Sequence, residues 1–135
     1  MRLVFGEKDA PYEEARVVVL PVPYDLSLSF LPGARRGPEA ILLASRELEP
    51  FLLELGAAPE EVGIHAAEPV PWVAGMAEES HRLIREEALK HLRAGKWLVA
   101  LGGDHSVTHP LVQAHREALG EFSLLHVDAL VGGAV

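Results

Sequence analysis

The stretch KWLVALGGDHS, residues 96–106, is an apolar run that ends in two glycines and then in polar, chemically reactive side chains. A short apolar run bounded by turn formers is typical of a strand buried on both faces of a parallel sheet. A similar run, Arg-Val-Val-Val-Leu-Pro-Val-Pro, begins at Arg16 and is stopped by its prolines. We therefore predict one strand from Arg16 and another over Lys96–Leu101.

Helical periodicity fills the intervals around these strands. Gly37-Pro38 suits a first helical turn, and the helix is expected to continue to Gly56 because apolar residues recur at helical spacing. A second helix is predicted over Met76–Ala94, with Gly95 as its cap, and a third from Thr108 to just before Gly120. The apolar residues of the first are Ile41, Ala44, Leu48, Leu52 and Leu55.

Two further segments complete an alternating order. Val62–Ala67 and Glu121–Val127 are the remaining strand candidates, which gives the order βαβαβαβ. This order predicts an α/β fold with a mostly parallel sheet and helices on both faces. A fourth strand should lead into another helix, but only the residues 130–135 follow, so we expect a domain interrupted after that strand.

Composition sets limits on class and partners. The chain has 135 residues, 49% of them hydrophobic, which fits one domain or a piece of one. Its formal net charge of −8 argues against nucleic acid or an anionic membrane as a partner. The sequence has no cysteine and no apolar run long enough to span a bilayer, and its start becomes polar too soon for a signal-peptide core. We therefore expect no targeting segment and a soluble, cytoplasmic protein.

Metal-capable side chains follow two of the predicted strands. Gly102–Ser106 follows the third strand, and His126-Val127-Asp128 ends the fourth. Ligands collect beyond the carboxyl ends of parallel strands, so His105 and Asp128 are expected to face one crevice. Mixed imidazole and carboxylate donors suit Mn²⁺, Fe²⁺ or Zn²⁺ rather than Ca²⁺.

Each of these segments also has a purely structural interpretation. Gly-Gly-Asp-His is compatible with a simple strand-to-helix turn in which Asp104 caps the following helix. Asp128 is likewise compatible with a helix cap. The other histidines, His65, His81, His91, His109 and His115, are interpreted as surface or partly buried groups rather than ligands.

The loop that begins at Pro23 lies at the same edge of the predicted sheet. It reads PYDLSLSFLPGARRGPEAI and contains two adjacent arginines, Arg35 and Arg36. Loops at this edge often carry binding function. The alternative is a structural loop whose arginines bind carboxylates elsewhere in the protein or in a neighbouring subunit.

Taken together, the three segments resemble the ureohydrolase family, the arginases and agmatinases. That family has a Pro-Tyr/Phe-Asp loop ending in Pro-Gly-x-Arg-x-Gly-Pro, then Gly-Gly-Asp-His-Ser, then Asp-Ala-His-x-Asp. Here the matching residues are Pro23–Pro38, Gly102–Ser106 and Asp128-Ala129, in the same order. The loop with Pro-Gly-Ala-Arg-Arg-Gly-Pro is most similar to that of agmatinases.

The resemblance implies a three-layer α/β/α domain, of which residues 1–135 are the N-terminal portion, and a binuclear manganese site that hydrolyses a guanidino group such as that of agmatine. It implies that His105 and Asp128 are metal ligands. Asp104 is implied to orient its surroundings without binding the metal. The resemblance assigns no catalytic residue in this chain and leaves the substrate-binding residues unknown.

The chain departs from the family pattern after Ala129. The family's next histidine and aspartate are replaced by Leu130 and Gly132, and its later Asp-x-Asp pair is absent, so two of six metal ligands remain. We therefore expect a ureohydrolase-like chain that is inactive alone. The alternative is a truncated, inactive fragment that only folds and self-associates, because an interrupted sheet exposes apolar edges.

Overall fold

A parallel three-stranded sheet organises the chain, and the computed structural model describes residues 4–26, 31–49 and 51–128 of it. The strands are β1 (Val17–Val22), β2 (Ile64–Ala66) and β3 (Trp97–Gly102), in the spatial order β2-β1-β3. Strand β1 is central and almost wholly buried, which agrees with its continuous β-branched sequence.

Three helices cover the two faces of the sheet. They are α1 (Gly37–Ala44), α2 (Ala77–Arg93) and α3 (Thr108–Leu119). Leu20 and Val22 of β1 pack in one apolar cluster with residues of α2 and α3, whereas Val19 packs in a second cluster with Leu42 of α1. Successive side chains of a strand point to opposite faces, so the two clusters lie on opposite sides of the sheet. The predicted three-layer α/β arrangement is confirmed.

The predicted first helix is too long. Helix α1 ends at Ala44 and passes into a short 3-10 turn over Ser45–Glu47. Ser45 is buried, and its Oγ donates to the Leu42 carbonyl at 2.8 Å and accepts from the Gly6 amide at 2.9 Å. The sequence also carries Pro50, and a proline disfavours helical backbone at the residue before it. The apolar residues beyond this point, Leu48, Leu52 and Leu55, are exposed.

The predicted fourth strand over Glu121–Val127 is wrong for the described residues. Residues 121–128 are assigned no strand, and Leu125 and Val127 are each 87% exposed. A strand is stabilised by burial of its faces, but the adjacent β3 leaves Trp97 75% and Val99 46% exposed. Within the described part of the chain, a strand added beside β3 would therefore also have an uncovered face and would bury little apolar surface. Self-association through such apolar surface stays a prediction.

The amino ends of the strands are held by a cluster of polar side chains. Lys96 Nζ donates to the carbonyl oxygens of Tyr12 and Ala15, at 2.8 and 2.6 Å, and lies 4.9 Å from the Tyr12 ring centroid. The Tyr12 hydroxyl is 3.0 Å from Nδ1 of the buried His91. Nε2 of His91 lies 3.3 Å from Glu87 without hydrogen-bond geometry. These contacts fix the turn that leads into β1.

No helix among the described residues is both long and apolar enough to cross a lipid bilayer.

Candidate metal centre

The turn after β3 is shaped by close contact with the chain that follows β1. The Gly103 amide donates to the Val22 carbonyl at 3.1 Å, and the Asp104 amide donates to the Tyr24 carbonyl at 2.8 Å. A Cβ added to Gly103 would lie 2.0 Å from the Tyr24 carbonyl oxygen. A glycine is therefore required here by close approach of two backbones. The turn is thereby fixed at the carboxyl edge of the sheet.

Asp104 stabilises the same turn from inside. It is buried, and its Oδ1 accepts from the Ser106 amide at 3.0 Å and from the Ser106 hydroxyl at 2.5 Å. It thus caps a 3-10 turn over His105–Val107, which leads directly into α3. The structure supports the capping interpretation of Asp104, and its implied role in orienting the metal site stays a prediction. Its effect on the site is to hold the backbone that carries His105.

Three side chains converge beyond this turn. His105 Nδ1 lies 3.2 Å from Asp128 Oδ2, and His126 Nε2 lies 3.4 Å from the same oxygen. The two imidazole rings meet edge to face, with centroids 5.3 Å apart. Among the residues described, these three form the group of metal-capable side chains whose donor atoms all lie within 4.8 Å of one another.

The sequence predicted part of this arrangement. His105 and Asp128 are brought together as expected, and their role as metal ligands stays a prediction. The family motifs do not include His126, although its position relative to Asp128 carried a signal. In the strand predicted over Glu121–Val127, side chains two residues apart would point to the same side, which would place a histidine at position 126 beside the carboxylate.

His105 and His126 line an open cleft of about 820 Å³. The cleft runs between the turn after β3, the first residues of α3 and the segment 124–127. His105 and His126 are 61% and 42% exposed, so both are accessible from solvent. The walls are mostly apolar and include Ala100, Leu111, Leu124, Leu125 and Val127.

The donor set fits a divalent transition-metal ion. Imidazole nitrogen and carboxylate oxygen are ligands that such ions accept together, and three protein donors leave coordination positions open for water or substrate. His105 and Asp128, the predicted ligands, are the residues that would hold the ion, and His126 lies beside them. The site is reachable from solvent and requires no large rearrangement to bring the donors together.

The loop after β1 is fixed by an internal carboxylate. Asp25 is buried, and its Oδ2 accepts from the Gly33 amide at 2.8 Å and from the Arg35 amide at 3.4 Å. The Arg35 guanidinium pairs with Asp25 at 3.4 Å and lies 5.9 Å from the Trp72 ring centroid. The hydrogen bond from Gly33, more than the Arg35 charge, holds the pKa of Asp25 below its usual range. For Arg35 the structural interpretation is therefore supported.

Comparison with known proteins agrees with this fold. The model of the arginase family matches residues 15–129. The chain is 97% identical over 129 residues to an N(1)-aminopropylagmatine ureohydrolase from Thermus thermophilus, covering 96% of this chain and 44% of that protein. It is 35% identical over 126 residues to an agmatinase from Bacillus anthracis, covering 93% and 43%. In fold it is similar to a crystal structure of Trypanosoma cruzi formiminoglutamase with Mn²⁺, at a TM-score of 0.71 and 24% identity, covering 81% and 37%.

A parallel α/β/α layer arrangement with polar side chains at the carboxyl edge is that of an α/β protein whose ligands bind at this edge of the sheet. The chain belongs to the arginase family. It spans a little over two-fifths of the length of the curated relatives compared here.

Proposed function

We propose that this chain supplies the first metal ligands of a ureohydrolase that acts on N(1)-aminopropylagmatine. The reaction consumes one water, breaks one guanidino carbon–nitrogen bond and releases urea and an amine. The observation that carries the proposal is the convergence of His105 and Asp128, 3.2 Å apart, at the carboxyl edge of the sheet. These are the residues that the family motifs single out.

Sequence similarity supports the choice of substrate. Identity is 97% to the Thermus thermophilus ureohydrolase of N(1)-aminopropylagmatine, against 35% to the Bacillus anthracis agmatinase. We therefore infer the aminopropylated guanidine, rather than agmatine itself, as the preferred substrate. Both are cationic, and an acidic chain with a net charge of −8 attracts cations.

The proposed chemistry assigns each residue a limited task. His105 and Asp128 would hold the metal, which we propose to be manganese, and Asp104 holds the backbone of His105 through its bonds to Ser106. When bound, the ion would supply the Lewis acidity that activates water for attack on the guanidino carbon. The carboxylate of Asp128 also offsets positive charge at the cleft.

We further propose that the chain does not turn over substrate alone. The motif positions that carry histidine and aspartate in the family hold Leu130 and Gly132 here, and these two residues lie outside the described structure. An aliphatic side chain has no lone pair to donate, so Leu130 cannot replace an imidazole. We propose that polypeptide other than these 135 residues supplies the remaining ligands.

A chimera separates these two proposals. In it, the matching 129 residues of the Thermus thermophilus relative are replaced by those of this chain, and urea release is measured with Mn²⁺. We expect release from N(1)-aminopropylagmatine at a rate within about threefold of the parent, and slower release from agmatine. The isolated chain should give no urea above a metal-only blank.

The outcomes point to different conclusions. A chimera that folds with the melting temperature of the parent but releases no urea would contradict the proposed function. Urea release by the isolated chain, abolished in His105→Ala, would support the chemistry but contradict the dependence on further polypeptide. Equal rates with the two guanidines would contradict the substrate preference alone.

A further inference from the structure

We infer that residues 9–16, which lead into β1, form a strap over the outer edge of β2, and that protonation of the buried His91 releases this strap. The strap lies at the amino ends of the strands, so it is separated by the length of the sheet from the candidate metal centre at the carboxyl edge. The inference therefore goes beyond the proposed function and is tested without measuring urea release.

The strap bonds to the side of β2 that faces away from β1. The Ala10 amide donates to the Ile64 carbonyl at 2.8 Å, and the Asp9 carboxylate accepts from the Ala66 amide at 2.8 Å. Strand β2 is an edge strand of the described sheet and pairs with β1 on its other side. Release of the strap would leave the outer edge of β2 unpaired, and an unpaired edge is open to pairing with another strand.

The side chain of His91 is buried beneath the strap. His91 is 2% exposed, its Nδ1 lies 3.0 Å from the Tyr12 hydroxyl, and the two ring centroids are 5.5 Å apart. Nε2 of His91 has no hydrogen-bond partner among the described residues, although a Glu87 carboxylate oxygen lies 3.3 Å away. Because Tyr12 belongs to the strap, movement of the strap would open this imidazole to water.

The charged and titratable groups around His91 and Tyr12 come from α2, β2 and β3 as well as from the strap. They are Glu87 and Lys90 of α2, His65 of β2, Lys96 beside β3, and Asp9 and Tyr12 of the strap.

This environment opposes a positive charge on His91. The Glu87 carboxylate already pairs with Lys90 at 2.7 Å, and the Lys96 ammonium lies 4.9 Å from the Tyr12 ring centroid. Burial lowers the pKa of His91, and Glu87 offsets this shift only in part. A neutral imidazole can accept a proton from the Tyr12 hydroxyl, whereas an imidazolium donates from both nitrogens and needs acceptors or water for both. Release of the strap supplies that water.

His65 responds to a positive charge in the opposite way. Its Nδ1 donates to the Ala10 carbonyl at 2.9 Å and lies 3.5 Å from the Asp9 carboxylate. A positive charge on this ring would therefore strengthen its contact with the strap. The geometry assigns the release to His91 alone of these two histidines.

The experiment is hydrogen exchange of the 135-residue chain at pH 7.5 and pH 5, followed by mass spectrometry. Protection is the ratio of the exchange rate of unstructured backbone to the measured rate at the same pH, so the intrinsic effect of pH on exchange cancels. The variants are His91→Gln, Glu87→Gln and the matched control Glu86→Gln. Glu86 lies on the same helix but pairs with Arg82 at the surface. Both glutamates are partly exposed, so their variants should fold even where a change at His91 does not.

We expect the protection of the strap to fall by more than about threefold between pH 7.5 and pH 5. The fall has an upper limit of about thirtyfold, because release coupled to one proton changes by at most tenfold per pH unit below the ordinary histidine pKa of about 6.5. His91→Gln should show a fall of less than about twofold. Glu87→Gln should show a larger fall than the original chain, because it removes the carboxylate that favours the charged imidazole. Glu86→Gln should match the original chain within about twofold.

Denaturant separates release of the strap from unfolding of the whole chain. Global unfolding exposes much surface and responds strongly to denaturant, whereas a local opening responds little. At pH 5, adding guanidinium chloride to 0.5 M should lower the protection of α3 by more than about fivefold and that of the strap by less than about twofold.

The inference is overturned if the protection of the strap falls by less than about threefold in the original chain, or falls equally in a folded His91→Gln variant. A fall in Glu87→Gln that is smaller than in the original chain would also overturn it. Equal sensitivity of the strap and α3 to guanidinium chloride would show that the whole chain unfolds, and would reject a strap that opens by itself.

Discussion

Replacing Gly103 with alanine puts a methyl group into the contact between the turn after β3 and the chain after β1. The new Cβ would lie 2.0 Å from the Tyr24 carbonyl oxygen and 2.9 Å from its carbonyl carbon. Carbon–oxygen contacts are ordinarily no closer than about 3.3 Å, so the two backbones must separate by roughly 1.3 Å. All of the atoms concerned are backbone, and no rotamer change can relieve the clash.

The cost follows from the bonds that cross this contact. A separation of that size breaks the hydrogen bonds from Gly103 to Val22 and from Asp104 to Tyr24, now 3.1 and 2.8 Å long. Each is worth about 1 kcal/mol, and overpacking adds about 1 to 3 kcal/mol. We expect the free energy of unfolding to fall by roughly 3 to 5 kcal/mol, which corresponds to a melting temperature lower by about 10–20 °C.

Gly37→Ala is the matched control. A Cβ there would meet the Gly102 carbonyl oxygen at an ordinary 3.6 Å, and its φ of −55° is helical. We expect unchanged stability or a gain of up to about 1 kcal/mol. Thermal and guanidinium chloride unfolding, followed by circular dichroism, measure both variants. A Gly103→Ala chain within about 1 kcal/mol of the original would refute the close contact described between the two segments.

Three further predictions concern the polar contacts that hold the fold. Asp25→Asn should lower the melting temperature above pH 5, and the melting temperature of the variant should decline less than that of the original chain below about pH 4. The reason is that a carboxylate with a lowered pKa stabilises the fold fully above pH 5 and loses this contribution as it becomes protonated at lower pH. A variant whose melting temperature follows pH as the original chain does would contradict this. Burial lowers the pKa of His91 below 6.5, with the nearby Glu87 opposing the shift, so the unfolded chain takes up the proton first and stability should fall as pH drops through about 6.5. Denaturant titrations from pH 7.5 to 5 give the free energy of unfolding at each pH, and this free energy should fall less with decreasing pH in His91→Gln. An equal fall in the variant would exclude His91 as the source of the pH dependence. Lys96→Met keeps the aliphatic part of the side chain but removes the donor to the Tyr12 and Ala15 carbonyls. The free energy of unfolding, measured by chemical denaturation, should fall by about 2 kcal/mol. A fall below about 0.5 kcal/mol would show that the ammonium group stabilises the fold little.

The regular elements could be predicted because local chemistry and tertiary packing agree there. Helix α2 was expected over Met76–Ala94 and runs over Ala77–Arg93, with apolar spacing and a following Gly95 to define it. Helix α3 starts at Thr108 and ends before Gly120, as expected. Continuous apolar runs likewise located β1 and β3 to within a residue at each end.

The errors arose where periodicity was the only guide. Leucines at positions 48, 52 and 55 have helical spacing but are exposed in the described part of the chain, and the Ser45 hydroxyl bonds back to Leu42 where α1 ends. The expected strand over Glu121–Val127 has a strand-like sequence, but strand formation depends on a partner and on covered faces that local sequence does not encode.

The candidate site was predictable only where a sequence motif and the strand order determine it. Gly102–Ser106 carries a recognisable motif, and the topology brings its histidine to the edge where Asp128 lies. The capping role of Asp104 and the approach of His126 depend on distances between side chains, which a motif does not contain. The reason for Gly103 was likewise visible only once the Tyr24 carbonyl was placed beside it.

The most direct test of the ureohydrolase site is the rate of urea release from N(1)-aminopropylagmatine by the chimera, compared between His105→Ala and His109→Ala at saturating Mn²⁺. We expect His105→Ala to lower the rate by more than about 100-fold, since it removes a metal ligand, and His109→Ala to change it by less than about threefold. Equal rates in the two folded variants would contradict the assignment of His105 to the metal site and, with it, the proposed function of this chain.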